Sequence, residues 1–268
     1  MALLAVSSSF APLAQAQTFQ SDFLYKFVSN WADVTTDGTN LYVVNSTYSQ
    51  IDKYSVGGVH ATSNWGHYGI STGKLKQPMG IVLVGTNLYV ADTGNSRIQR
   101  FDLTGVSNHA PWGSYGSASG QYNEQQGVAV DSVENFIFVA DTKNNRIQAI
   151  QISDDSVASV AGTLGTGINQ FSSPKGIAVT GTAPSLTVYV ADTGNNRIVP
   201  YTFNTITETF DYVTGGAFGT YGTGNVQFNQ PNKITIDGSG NFYITDTTNR
   251  IQKFDNGRNF LSSWNVHD

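Results

Sequence analysis

Apolar residues fall in short bursts separated by Gly-, Asn- and Thr-rich turns, and no stretch carries a helical period. One kind of burst is compact: GIVLV (80–84), GVAVD (127–131), GIAVT (176–180) and ITID (234–237). A second comes after a tight turn such as DGSGN (237–241) and is β-branched and aromatic, as in LYVA, FIFVA, VYVA and FYIT. A third alternates apolar and polar positions, RIQRFDL (97–103) and RIQKFD (250–255). A weaker fourth ends in an aromatic–Gly signal, WGHYG (65–69), WGSYG (112–116) and FGTYG (218–222). A Gly-rich entry then leads back to the first kind: GISTGKLKQP (69–78), GTGINQFSSP (165–174) and GTGNVQFNQP (222–231). Each cycle predicts four strands.

Between the second and third strands stands one polar turn, rewritten four times: YVADTGNSRI (89–98), FVADTKNNRI (138–147), YVADTGNNRI (189–198) and YITDTTNRI (243–251). Its acids, Asp92, Asp141, Asp192 and Asp246, recur about every fifty residues, the size of a four-stranded propeller blade. A decayed copy, LYVVNSTYSQIDKY (41–54), lies upstream. A lone four-stranded sheet buries neither face, whereas stacking such sheets around an axis buries both and leaves only short edges. The expected fold is therefore all-β, a propeller of four-stranded blades.

The string QFxxPxGIAV…YVADTxNNRIQxF resembles the NHL repeat, and the resemblance covers roughly residues 31–266. It is looser in the third copy, where Gln125 stands in place of proline, and the first copy lacks the entry, the proline and the acid–arginine pair. The resemblance implies a propeller, usually six-bladed. It also implies a binding platform more often than an enzyme, although some NHL-type propellers are amidating lyases with a metal in the central channel.

Composition narrows the class. Charged residues make up 12% of the 268, net charge is −5, and cysteine is absent. No basic footprint points to nucleic acid, and disulfides and thiolate metal sites are excluded. The run LLAVSSSFAPLA is too short and too interrupted to span a bilayer, and Ala14-Gln15-Ala16 after it is a small-residue cleavage pattern. Residues 1–16 are expected to be a signal peptide and 17–268 one propeller domain of a secreted, periplasmic or cell-surface protein. No other stretch is apolar enough for a membrane helix.

The repeated acid and base admit two readings: a ring of cation sites or a set of structural clasps. Asp92 and Arg97, Asp141 and Arg146, and Asp192 and Arg197 lie five apart, and Asp246 and Arg250 four apart. In the decayed copy the two positions hold Asn45 and Gln50, so both charges disappear together, as mutual partners would. One acid per turn is too few oxygen donors for a dedicated Ca²⁺ site. The clasp reading is adopted, with Gly and Asn of the turn supplying positive φ.

None of His60, His67, His109 and His267 falls on an inner strand, where a channel metal would need it, and no nucleophile elbow, P-loop or HExxH motif is present. No catalytic residue, metal or cofactor is assigned. The candidate ligand site is the axial rim, where the inner strands begin: Asp33, Met79, Gln126, Lys175, Asn232 and Lys233. Asp33 and Lys233 replace the usual glycine in the first and last copies, either as a salt bridge closing the ring or as a polar rim for a ligand. Trp65, Trp112 and Trp264 are expected to cover the outer strands as packing.

These features point to a non-catalytic binding or scaffold module for a protein, glycan or small ligand. The alternatives are a hydrolase or lyase acting in the channel, or a self-associating extracellular structural protein. Strand counting leaves DFLYKFVSN (22–30) as an orphan outer strand, so the ring is five-bladed or an incomplete six-bladed one. The incomplete ring would offer an open edge for self-association.

Overall fold

The structure is a computed structural model, and it describes residues 31–265 except Asn108, Ser132 and Glu134. Five antiparallel sheets succeed one another along the chain, each with its strands in sequence order from inside to outside. The first blade comprises Trp31–Thr36, Asn40–Asn45, Gln50–Ser55 and His60–Gly66. The second has Gly80–Val84, Asn87–Asp92 and Arg97–Asp102, and its outer position holds a single bridge from Ile98 to Trp112 instead of a fourth strand. The third runs Val128–Val130, Phe136–Asp141, Arg146–Gln151 and Val157–Ala161. The fourth has Ile177–Thr182, Ser185–Asp192, Arg197–Asn204 and Thr209–Tyr212; the fifth has Ile234–Ile236, Phe242–Asp246, Arg250–Phe254 and Phe260–Asn265. The sheets form a β-propeller, as the fifty-residue period implies. The cleavage pattern, residues 1–16, the orphan segment 22–30 and His267 lie outside the described residues.

The core lies between blades. Ile51 and Trp65 of the first pack with Ile81, Leu88 and Phe101 of the second. Equivalent clusters join the second to the third, the third to the fourth and the fourth to the fifth. Val34, Leu41, Val43 and Tyr54 form a further cluster confined to the first blade, and no cluster among the described residues joins the fifth blade to the first. In the second, third and fourth blades alternate residues of the strands thus serve two interfaces, which explains why their second strands are apolar at nearly every position.

The heads of the inner strands show why glycine recurs there. A Cβ on Gly80 would collide with the carbonyl oxygen of Gln126, and one on Gly127 with that of Lys175, because the next blade's backbone crosses at that point. The aromatic–Gly signal ends the outer strand of the first blade at Gly66, as expected, while in the second and fourth blades it makes only isolated bridges, Trp112 to Ile98 and Phe218 to Ile198. In each entry the residue just before the glycine at 69, 116, 165 or 222 pairs in parallel with a buried plug: Tyr68 with Leu75, Tyr115 with Tyr122, Leu164 with Phe171 and Tyr221 with Phe228. The entry is a two-stranded clip whose plug is buried and whose partner faces solvent.

Candidate functional site at the entry face

The polar turns and the entries share one face of the propeller, and the clasps join them. Each acid accepts its arginine: Asp92 at 2.7 Å, Asp141 at 2.8 Å, Asp192 at 2.7 Å and Asp246 at 2.6 Å. The carboxylates are buried and carry further donors. Asp92 Oδ2 also accepts Asn95 Nδ2 and Gln99 Nε2, both at 2.9 Å, while Oδ1 accepts the Lys76 amide of the entry at 2.7 Å. Arg97 Nη2 in turn donates to the Ser71 and Lys74 carbonyls. Arg146, Arg197 and Arg250 reach entry carbonyls in the same way, among them those of Ala118, Gly167 and Gln227. The clasp is therefore a rivet between turn and entry as well as a pair across the turn. These groups are used in structure: each acid is buried, and each of its two oxygens accepts at least one hydrogen bond from the turn or the entry.

Two details differ from expectation. The residue with positive φ is the one before the arginine, Ser96, Asn145, Asn196 or Asn249, and the turn glycines are not in that region. Gly94 serves close approach instead: its amide donates to Lys76 O at 2.8 Å, and a Cβ would press on that carbonyl. The first blade is also not neutral. Asn45 Nδ2 donates to Asp52 Oδ2 at 3.2 Å and Gln50 Nε2 to Oδ1 at 2.6 Å, with Asp52 buried. The carboxylate and the amide have exchanged positions, since Asp52 stands where three of the other four copies have Gln99, Gln148 and Gln252 and the fourth has Val199. The nearest basic group to Asp52 is His60, 3.8 Å away.

The rim residues divide into two groups. Lys233 Nζ lies 3.2 Å from Asp33 Oδ2 and donates to the Met79 carbonyl at 3.1 Å, while Asp33 also accepts the Ile81 amide at 3.2 Å. Asp33, Met79 and Lys233 thus tie the fifth blade to the first and second. Gln126 and Lys175 line a separate concave pocket of about 340 Å³ with Glu124, Thr142, Lys143, Ser173 and Gln230. Asn232 is in neither group; its carbonyl lies against Gly176 and its amide bonds the Thr245 carbonyl at 2.8 Å. Burial, and then the like charges of Lys143 and Lys233, hold the Lys175 amine below its usual pKa. Thr142 and Lys143 belong to the clasp turn of the third blade, so their sequence signal is that turn, whose acid and arginine alone stand out in the sequence.

Trp65 and Trp112 are buried between blades, whereas Trp264 is partly exposed. His109 pairs with Asp155 at 3.4 Å. Among the described residues no three His, Asp or Glu side chains cluster to hold a metal ion, and no helix is long and apolar enough to cross a membrane.

A propeller of five repeat-built blades, riveted by acid–arginine turns, is the class these features define. The NHL repeat model matches residues 126–150, the unit that recurs in the other blades, and the chain is an NHL-repeat β-propeller. No curated protein matches it in sequence. Among solved structures it is similar to a catalytically inactive virginiamycin B lyase from Staphylococcus aureus with quinupristin, at 14% identity and TM-score 0.57 over 88% of this chain and 70% of that one. It is similar to a chain of a nidogen/laminin complex at 17% identity and TM-score 0.60, over 88% and 80%. A structural genomics protein of unknown function from Bacteroides thetaiotaomicron gives 18% identity and TM-score 0.60, over 88% and 57%. At these identities the likeness concerns the fold alone.

Proposed function

We propose that the protein is an exported, non-catalytic binding or scaffold module that engages a protein or glycan through its entry face. One observation carries this reading. Tyr68, Tyr115, Leu164 and Tyr221, at equivalent positions in four successive entries, are 72%, 72%, 68% and 71% exposed. Packing does not require an apolar side chain there, because the plug residue opposite fills the interior. Single exposed apolar residues are ordinary, but the same position repeated on one face is a contact surface. Tyrosines offer flat rings for stacking with sugars or a partner's side chains at low conformational cost. The clasp turns brace this face: Asn95, Asn144 and Asn195 each donate to the carbonyl of the glycine just after Tyr68, Tyr115 or Leu164.

The reading is tested with a triple variant, Tyr68→Ala, Tyr115→Ala and Tyr221→Ala, compared with wild type on a glycan array and by cross-linking to extracellular-matrix proteins. The expected result is unchanged thermal stability with loss of whatever wild type binds. Binding that survives in the triple variant would place the contact elsewhere. Terminal sequencing of exported protein, expected to begin at Gln17, tests the export part.

A further inference from the structure

We propose that the pocket between the third and fourth blades is a binding site for a small oxyanion, a carboxylate or phosphate group, held by Lys175, Lys143 and Thr142. This deepens the binding reading above and rests on it only for the choice of face. Three observations lead to the proposal, and each concerns a different property of the pocket.

The first is charge. Three lysines lie near one another here, and their compensation is unequal. Lys233 has Asp33 at 3.2 Å. Lys143 has Glu124 at 3.9 Å, with both side chains more than half exposed, so that the pair is weak and free to open. Lys175 is half-buried and has no carboxylate partner among the described residues. Burial and the two neighbouring ammonium groups push its pKa down. An anion entering the pocket would relieve both causes together.

The second is an unsatisfied hydroxyl. Thr93 and Thr193 occupy the same place in their turns, and each donates its Oγ1 to a carbonyl of the next blade, Gln125 O and Pro231 O, at 2.7 Å. Thr142 is the third member of the set. It lines the pocket and is 2% exposed, and its Oγ1 has no partner. A buried hydroxyl is costly to leave unbonded, and an oxyanion would accept from it. The third is size. About 340 Å³ suits a small ligand or the anionic end of a larger one.

The test uses the full chain and two probes, inorganic phosphate and acetate, each titrated at ionic strength held constant with chloride. Saturable binding of one equivalent is expected for at least one probe, with the lysine resonances of Lys175 shifting and its pKa rising. Preference for phosphate would indicate a phosphate-bearing ligand, and preference for acetate a carboxylate. Lys175→Met should weaken binding about tenfold or more, and Thr142→Val several-fold, through loss of charged and neutral hydrogen bonds respectively. Both variants should melt no lower than wild type, since each removes an uncompensated polar group. If Lys175→Met does not fold, Lys143→Met and Thr142→Val carry the test. The proposal is overturned if neither probe saturates, or if binding is the same in these variants. The triple tyrosine variant should keep oxyanion binding, which separates failure of this site from failure of the partner surface.

Discussion

In the first blade Tyr42, Ile51, Lys53 and Trp65 form the face turned toward the second blade; in the fifth, Tyr243, Ile251, Lys253 and Trp264 occupy the same register. The two faces match in detail. Tyr42 and Trp65 have ring centroids 6.2 Å apart, and Tyr243 and Trp264 6.3 Å. Lys53 and Lys253 sit over the tyrosine rings at 5.3 and 5.2 Å. Yet Trp65 is 7% exposed and Trp264 37%. The two faces are covered differently. The second blade supplies Leu75, Ile81, Leu88 and Phe101 against the first face, while no cluster among the described residues covers the second. The link from the fifth blade onward is polar, through Lys233 to Asp33 and the Met79 carbonyl. A repeat therefore specifies a face, and its neighbour decides what that face contributes.

The largest expected effect separates the two tryptophans. Trp65→Ala removes an aromatic ring from a closed interface and should cost about 3–5 kcal/mol, whereas Trp264→Ala should cost about 1 kcal/mol or less. Urea denaturation of both variants measures the difference. Equal, large losses would break the comparison, because they would mean that the fifth face is covered in solution. A concentration-dependent midpoint for wild type and not for Trp264→Ala would identify a second copy as the cover.

The turns offer the next contrast. In the fifth blade Asp246 and Arg250 are both buried, and Arg250→Gln alone should cost about 3 kcal/mol by leaving a carboxylate short of its partner. Combined with Asp246→Asn, the loss should be partly restored, with a coupling of about 1–3 kcal/mol in the double-mutant cycle. Strict additivity would rule out the partnership. In the first blade Asp52→Asn should cost less, about 1–2 kcal/mol, because its two donors are amides.

The contrast between these turns also marks how far sequence reasoning reached. The repeat, its strand order and the acid–arginine pairs were legible because the period is regular and each pair covaries within its copy, as Asn45 and Gln50 show, whereas the segment 22–30 left the number of blades open between five and six. The displaced charge of Asp52 was not legible, because it belongs to the third strand and reveals itself only beside Gln99, Gln148 and Gln252. The rim was legible as a line of aligned positions. Its division into a tie, made by Asp33, Met79 and Lys233, and a pocket, with Gln126 and Lys175, depends on which blades face each other across the axis. Thr142 was hidden for another reason: it is the same residue as Thr93 and Thr193, and only its missing bond distinguishes it.

A smaller effect concerns acid. In the first blade Asp37 accepts the Thr39 and Asn40 amides at 2.8 and 2.6 Å, Asn40 Nδ2 at 3.0 Å and Tyr42 Oη at 2.9 Å. Asp237 in the fifth repeats the set with Ser239, Asn241 and Tyr243. Burial raises the Asp37 carboxyl, but the Asn40, Thr39 and Tyr42 donors outweigh it and bring its pKa down to about 2. Asp237 is lowered through the same opposition. A carboxyl lowered by folding stabilises the fold above its ordinary pKa, and that contribution fades as pH falls toward the folded value. With Asp37 exposed, solvent screening limits it to about 1 kcal/mol or less, lost between roughly pH 4 and pH 2. Carboxyl titration by NMR should show Tyr42→Phe raising Asp37 and Tyr243→Phe raising Asp237. Unmoved titrations would remove the tyrosine hydroxyls from the account.

The smallest effect tests the faces themselves. An ammonium over an aromatic ring gains more where water is excluded, from about 0.5 kcal/mol at exposed sites to about 2 when desolvated. Tyr42 is fully buried and Tyr243 only partly, while the two lysine–ring distances are nearly equal. Geometry is thus held constant and solvent varies. Lys53→Gln should therefore cost more than Lys253→Gln, by about 0.5 kcal/mol. The gap should persist in high salt, since a cation close above a ring is screened less than a pair of surface charges. Equal costs would show that the second blade shields the Tyr42 ring without changing the field above it, and that the two faces differ only in apolar contact.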